Sequence, residues 1–215
     1  MPSEPTDLAS LIEGYRRFRD TGWSQRLERW AQLRDGQTPQ TMIIGCSDSR
    51  VDPSQIFDVD PGEIFVVRNV AAMVPPFETT PGHHGVSAAL EFAVEFLLVR
   101  QIVVLGHGMC GGCQAALTQS MRGTDPGKGG FIADWIDLLD DARDAVVARY
   151  GTGGPDAQRA MELAGVRVSL NNLRTFPNIA AREQAGTLRL YGAFFAISDG
   201  ILHLLDEQAG EFHPA

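Results

Sequence analysis

The spacing of apolar residues changes several times along the chain, and each change predicts an element. Across residues 7–33, Leu8, Leu11, Ile12, Tyr15, Phe18, Trp23, Leu27, Trp30 and Leu33 recur at close to the helical period. Glu13, Arg16, Arg17, Arg19 and Asp20 fall between them, and Gly22 interrupts the run. This helical arm suits either packing on its own domain or lying over a neighbouring subunit. The pattern then contracts to short, mainly apolar runs at residues 42–46, 63–69 (with IFVV inside it) and 101–106 (with IVVL inside it). Such runs are typical of strands buried on both faces. Helical spacing over residues 86–99 joins the second run to the third, and another helix is expected from Cys110 to about residue 121.

Beyond a Gly- and Pro-rich loop, RGTDPGKGG, residues 131–150 read as an acidic amphipathic helix. A further helix follows the GTGGP break and runs to about Arg174, and Pro177 opens a short one. Residues 188–197 and 201–205 predict closing strands around an Asp199-Gly200 turn. The expected architecture is α/β: a central, mostly parallel sheet flanked by helices and joined by right-handed crossovers. The whole of residues 1–215 reads as one domain, with a helical arm at 1–35, a core at 36–121 and helices with closing strands at 122–215.

Composition narrows the function. A net charge of -9 leaves no basic surplus to neutralise phosphates, so nucleic acid is not an expected partner. The longest apolar stretch, AALEFAVEFLLV, is broken by charge and falls short of the roughly 20 residues a membrane span needs. The opening MPSEPTDLAS has no basic segment followed by an apolar run. Three cysteines do not make a disulfide framework and fit a cytoplasmic protein that keeps its thiols for metal or catalysis.

Two constellations stand at strand ends, where open α/β sheets bind ligands. Cys46-Ser47-Asp48-Ser49-Arg50 follows the first strand. If the chain stays extended, Cys46, Asp48 and Arg50 point to one side, and Arg50 can hold Asp48 in a two-pronged pair. His107-Gly108-Met109-Cys110-Gly111-Gly112 follows the third strand. Cys110 there meets the start of the next helix, whose dipole favours a thiolate. Cys46, His107 and Cys110 form a two-sulfur, one-nitrogen set, which with an open fourth position describes a catalytic Zn²⁺ site. Each residue alone also fits a structural role.

At these residues the sequence resembles the β-class carbonic anhydrases. The family pattern Cys-x-Asp-x-Arg, then His-x-x-Cys, is met by Cys46, Asp48, Arg50, His107 and Cys110. The likeness runs through CSDSRVDPSQIFDVDPGEIFVVRNVAAMVPP and GVSAALEFAVEFLLVRQIVVLGHGMCGG, about residues 36–117, and more loosely through LYGAFFAISDGIL. It implies one Zn²⁺ per chain on Cys46, His107 and Cys110, with Asp48 and Arg50 as the catalytic dyad. It implies reversible hydration of carbon dioxide to bicarbonate and a homodimer or higher homo-oligomer with sites near the subunit boundary. Plant-type members place a substrate-binding glutamine where Gln37 stands and an apolar wall where Phe65, Val70 and Phe92 stand. Phe92 departs from the usual tyrosine. The backbone N–H of Gly111 is expected to meet a substrate oxygen.

Another subset of the family binds a regulatory bicarbonate and closes its zinc site with the aspartate. It carries a tryptophan where this chain has Ile43, and a tyrosine where the looser match puts Phe195. The plant-type, open site is therefore expected. Two other readings remain. Carbon disulfide or carbonyl sulfide hydrolysis is open to the same scaffold. A dithiol redox protein is suggested by Cys110-Gly-Gly-Cys113 at a helix start, where family members usually carry an apolar residue at the second position.

Overall fold

Asp7 opens the first helix of the computed structural model, which describes residues 6–215. Its carboxylate accepts the Ser10 N–H at 2.8 Å, and Ser10 Oγ accepts the Asp7 N–H at 3.0 Å, a reciprocal cap. Helix α1 spans Leu8–Arg17. A wider π-helical turn, Phe18–Trp23, and a tighter 3-10 turn, Ser24–Arg26, separate it from α2, Leu27–Leu33. The helical segment expected over residues 7–33 is thus interrupted around Gly22, as its glycine suggested. The break lets Trp23 stack on Trp30 at 4.8 Å while Phe18 meets Trp30 edge-on at 6.1 Å. Leu8, Leu11 and Ile12 are exposed. This unit ends at Thr38, near the arm boundary read from sequence, and the second unit is Pro39–Ala215.

The second unit holds a six-stranded sheet in the order β2-β1-β3-β4-β5-β6. Strand β1 is Thr41–Cys46 and β2 is Ile64–Asn69. Strands β3 to β6 are Gln101–His107, Arg189–Ala196, Ile201–Asp206 and Glu211–Pro214. The first four strands pair in parallel, and β5 and β6 add antiparallel. The sheet is thus mostly parallel, as expected. Strand β6 was not anticipated, because EFHP is short, nearly polar and proline-ended.

Among the described residues, seven further α-helices follow the sequence pattern or bend away from it. Helix α3, Pro53–Ile56, is a single turn capped by Asp52. Helix α4, Gly85–Glu91, runs into a π-helical turn, Phe92–Phe96, and stops at Leu98, whose φ of 56° is left-handed. Helix α5 is Gly111–Thr118, and the left-handed Gln119 ends it. The expected helix at 131–150 is two helices, α6 (Gly130–Ile136) and α7 (Asp140–Tyr150), joined by a 3-10 turn. Helix α8, Pro155–Leu173, and α9, Pro177–Gln184, both begin on proline. Among the described residues, no helix is long and apolar enough to cross a membrane.

Central strand β1 is buried on both faces, which explains why its apolar run does not alternate. Met42, Ile44, Ile102 and Val104 pack with Leu90, Val94, Val166 and Leu170. Ile43, Leu105 and Ala193 form a separate cluster. Helix α8 lies close on the sheet because Gly106 and Gly192 carry no side chain. A Cβ at Gly106 would lie 2.6 Å from Val166 Cγ2. We expect Gly106→Ala to cost about 1–3 kcal/mol by overpacking, read as a lowered denaturant midpoint.

Candidate metal centre

Strands β1 and β3 are neighbours in parallel register, so their carboxyl ends bring Cys46 and His107 to one edge. The chain then reverses through Met109, whose φ of 57° is left-handed, and returns Cys110 as the N-cap of α5. The two sulfurs and a ring nitrogen lie within 4.8 Å of one another, and all three residues are buried. His107 Nδ1 lies 2.9 Å from the Gly108 carbonyl oxygen, which assigns its proton to Nδ1. Its Nε2 is buried and has no hydrogen-bond partner. A buried polar atom left so is costly unless it serves as a ligand. A convergent imidazole lone pair and two thiols fit a divalent metal of the zinc type.

Without a cation, both thiols hold their protons. Cys46 is pushed up to about 12, first by its hydrogen bond with Cys110 and then by burial. Cys110 is also pushed up to about 12, chiefly by its hydrogen bond with Cys113, with burial adding. The helix start therefore does not by itself yield the thiolate expected at Cys110, because the Cys113 hydrogen bond and burial raise its proton affinity despite the lowering bond with Cys46. A cation among them reverses that balance. Burial works against charge on His107, but the Cys46 side chain and the Gly108 carbonyl outweigh it and move its proton affinity upward.

Asp48 and Arg50 meet differently from the expected extended alternation. The ladder continues one residue past β1, with Ser47 N–H donating to the Asn69 oxygen at 2.9 Å. The chain then turns, with Val51 N–H donating to the Asp48 oxygen at 3.2 Å. Across this turn Arg50 donates from Nε to Asp48 Oδ1 at 2.9 Å and from Nη2 to Oδ2 at 2.6 Å. Arg50 also donates to the Met109 carbonyl at 3.0 Å, tying the two constellations together. These bonds from Arg50 hold the Asp48 carboxyl well below the usual range. Asp48 Oδ2 stands 4.0 Å from His107 Nε2.

Arg68, which sequence reasoning missed, makes the turn possible. It donates to the Cys46 oxygen at 2.8 Å and the Asp48 oxygen at 2.6 Å, and pairs with Asp52 at 3.1 Å. An arginine inside the apolar run of β2 was its available signal.

The remaining pocket candidates divide. Val70 is beside the centre: a Cβ at Gly112 would lie 2.8 Å from Val70 Cγ1. Trp135 Nε1 donates to the Val70 oxygen at 2.8 Å, and Asn69 clasps both polar groups of the Met73 backbone at 2.8 Å. These bonds hold the left-handed Ala71 and Ala72 in place. Gly111 is exposed, with open space where a Cβ would point. Phe65 pairs in register with Met42, well down the sheet from Cys46, and its ring meets Phe92 at 5.9 Å. Within one chain these two rings are not brought to the cluster. Gln37 is exposed in the N-terminal unit.

A family model described as carbonic anhydrase matches residues 41–202, which include the whole cluster. The chain belongs to the carbonic anhydrase family. A carbonic anhydrase of Synechocystis is 34% identical over 205 residues, covering 91% of this chain and 73% of that one. The solved β-carbonic anhydrase CcaA is 32% identical with a TM-score of 0.89, covering 97% of this chain and 92% of that one. A tetrameric β-carbonic anhydrase of the ascomycete Sordaria macrospora is 26% identical with a TM-score of 0.76, covering 91% and 95%. Fold and family together make this chain a β-class carbonic anhydrase, an enzyme of carbon dioxide hydration.

Proposed function

We propose that this carbonic anhydrase hydrates carbon dioxide on a single Zn²⁺ held by Cys46, His107 and Cys110. The observation that carries the reading is the unpartnered, buried Nε2 of His107 within 4.8 Å of two thiol sulfurs. Zinc bound there would supply the acidity that yields hydroxide from water near pH of about 7, with the released proton passing to solvent or buffer and bicarbonate as the product. Asp48, already ionised and aimed by Arg50, accepts a hydrogen bond from the attacking water and directs its lone pair at carbon. It acts as an acceptor rather than a base, because the Arg50 bonds depress its proton affinity. Val70 excludes water on one side, and the Gly111 N–H at the start of α5 meets a substrate oxygen.

Phe65 and Phe92 contribute to the substrate pocket in this proposal, and the resemblance favours Gln37 as a substrate-binding residue. The position of Phe65 on β2 opposite Met42, with the Phe92 ring against it, favours service to the site of a second copy. The tetrameric relative and the exposed Leu8, Leu11 and Phe96 support a homodimer or larger assembly. Three free cysteines fit a reducing, cytoplasmic setting. The plant-type, open site is favoured by Ile43, by Phe195 and by an intact Asp48–Arg50 pair. A crystal grown near pH 7.5 with Asp48 bonded to zinc would contradict that assignment.

Stopped-flow hydration with a parallel zinc count tests the reading. We expect turnover proportional to bound zinc and slower turnover with carbon disulfide or carbonyl sulfide; activity independent of zinc would overturn it. The dithiol alternative requires Cys113, which is buried among Ala115, Ala116 and Leu117. Cys113→Ser is expected to leave hydration rate and zinc content at the wild-type level. Loss of activity with zinc retained would favour the redox reading instead.

A further inference from the structure

Glu162 is the one carboxylate among the described residues that is fully withdrawn from solvent, at 3% exposure. Charged groups are rarely buried so deeply without a dedicated partner. It stands on α8 beside Met161 and near Val166, residues of the apolar core. Its Oε1 accepts the backbone N–H of Cys110 at 3.0 Å and the Gln158 Nε2 at 2.6 Å. The same Gln158 Nε2 donates to the Cys110 carbonyl at 3.1 Å. Both polar backbone groups of one residue are therefore gripped by two side chains one helical turn apart.

The residue so gripped is the one that the sheet does not hold. Cys46 and His107 lie within β1 and β3, and their backbones are fixed by register with Asn69 and Phe195. Cys110 follows the left-handed Met109, outside any strand. Stability alone is a poor reason for the arrangement. Gln158 Oε1 is left buried without a partner, and a buried carboxylate costs more than an apolar side chain of the same shape.

We infer that Gln158 and Glu162 are positioning residues that hold Cys110 Sγ in place for metal binding. The inference rests on the reading of Cys110 as a zinc ligand. The charge of Glu162 is met by the Cys110 N–H, the Gln158 amide and the N-terminal end of α5. Neither side chain touches substrate; both act through the backbone of Cys110. The contribution expected is that of an outer partner of a metal ligand, roughly 10–100-fold in metal affinity.

The test compares the full-length wild type with Glu162→Leu, Glu162→Gln and Gln158→Leu. Zinc affinity is read by chelator competition and ligand geometry by the visible spectrum of the Co²⁺-loaded proteins. Glu162→Leu and Gln158→Leu are expected to lose about 10–100-fold in affinity and to shift the thiolate-to-cobalt band. Glu162→Gln keeps an acceptor for the Cys110 N–H and is expected to restore most of the affinity. Should Glu162→Leu fail to fold, Gln158→Leu reads the same clamp from a half-buried position. Folded leucine variants with wild-type affinity and cobalt spectrum would overturn the inference while leaving the zinc assignment intact. Equal losses in Glu162→Gln and Glu162→Leu would overturn it as well, since the acceptor is retained in the first. A wild type that binds neither ion would remove the zinc assignment and this inference together.

Discussion

Asp48→Asn is expected to lower hydration turnover by on the order of 10²–10⁴-fold while zinc content stays at the wild-type level. The amide keeps the size of the carboxylate but loses its charge. It presents one acceptor in place of two, and Arg50 already engages both oxygens. The attacking water then loses the group that orients it. Metal content is retained because Asp48 supplies no atom to the Cys46, His107 and Cys110 cluster. The pH dependence gives a second readout. The Arg50 bonds lower the Asp48 proton affinity in the folded state, so the stabilisation is complete above the ordinary carboxylate pKa of about 4. It is lost only as pH falls through the still lower folded value. Asp48 thus stays ionised across the working range, and any acid limb in turnover belongs to another group. That limb should keep its position in the residual activity of Asp48→Asn, measured by stopped flow across pH 6–9 or so. Wild-type turnover in this variant would remove the carboxylate from the mechanism.

The second large effect is expected from Cys46→Ala, which should abolish tight zinc binding and reduce hydration to the solvent rate. Removing this thiol leaves one sulfur and one imidazole, fewer than the three protein ligands of a catalytic zinc site. Zinc counted after chelator dialysis and stopped-flow hydration check it together. Wild-type binding also displaces about two protons, because both thiols are held protonated up to about 12 without a cation. Metal affinity of the wild type should therefore weaken as pH falls, and Cys46→Ala should show a shallower dependence. A variant that retains zinc and turnover would exclude Cys46 from the centre.

The strands and the cluster were legible because each rested on a signal that tertiary packing does not override. The runs at 42–46, 63–69 and 101–106 are mainly apolar on both faces, and the observed strands differ from them by a residue. Cys46 and His107 were placed by standing at the ends of those runs, where a parallel sheet opens. The turn around Asp48 was not legible, because it depends on Arg68 reaching back from a neighbouring strand to two carbonyls. The interruption at Phe18–Trp23 was legible from Gly22, whereas the one at Phe92–Phe96 was missed because a π-helical turn costs the apolar pattern only a small shift in phase. Gln158 and Glu162 were hidden for a different reason. Two polar residues one turn apart on a helix read as a solvated face until the fold turns that face inward. Phe65 and Phe92 look like wall residues by resemblance, yet the register of β2 sets Phe65 opposite Met42 rather than Cys46.

X-ray absorption at the zinc edge of the purified enzyme addresses the coordination directly. The Cys46, His107 and Cys110 set predicts two sulfur scatterers at about 2.3 Å and two light scatterers at about 2.0–2.1 Å, one from imidazole and one from solvent. A third sulfur, which would bring in Cys113, or a shell without sulfur would contradict it.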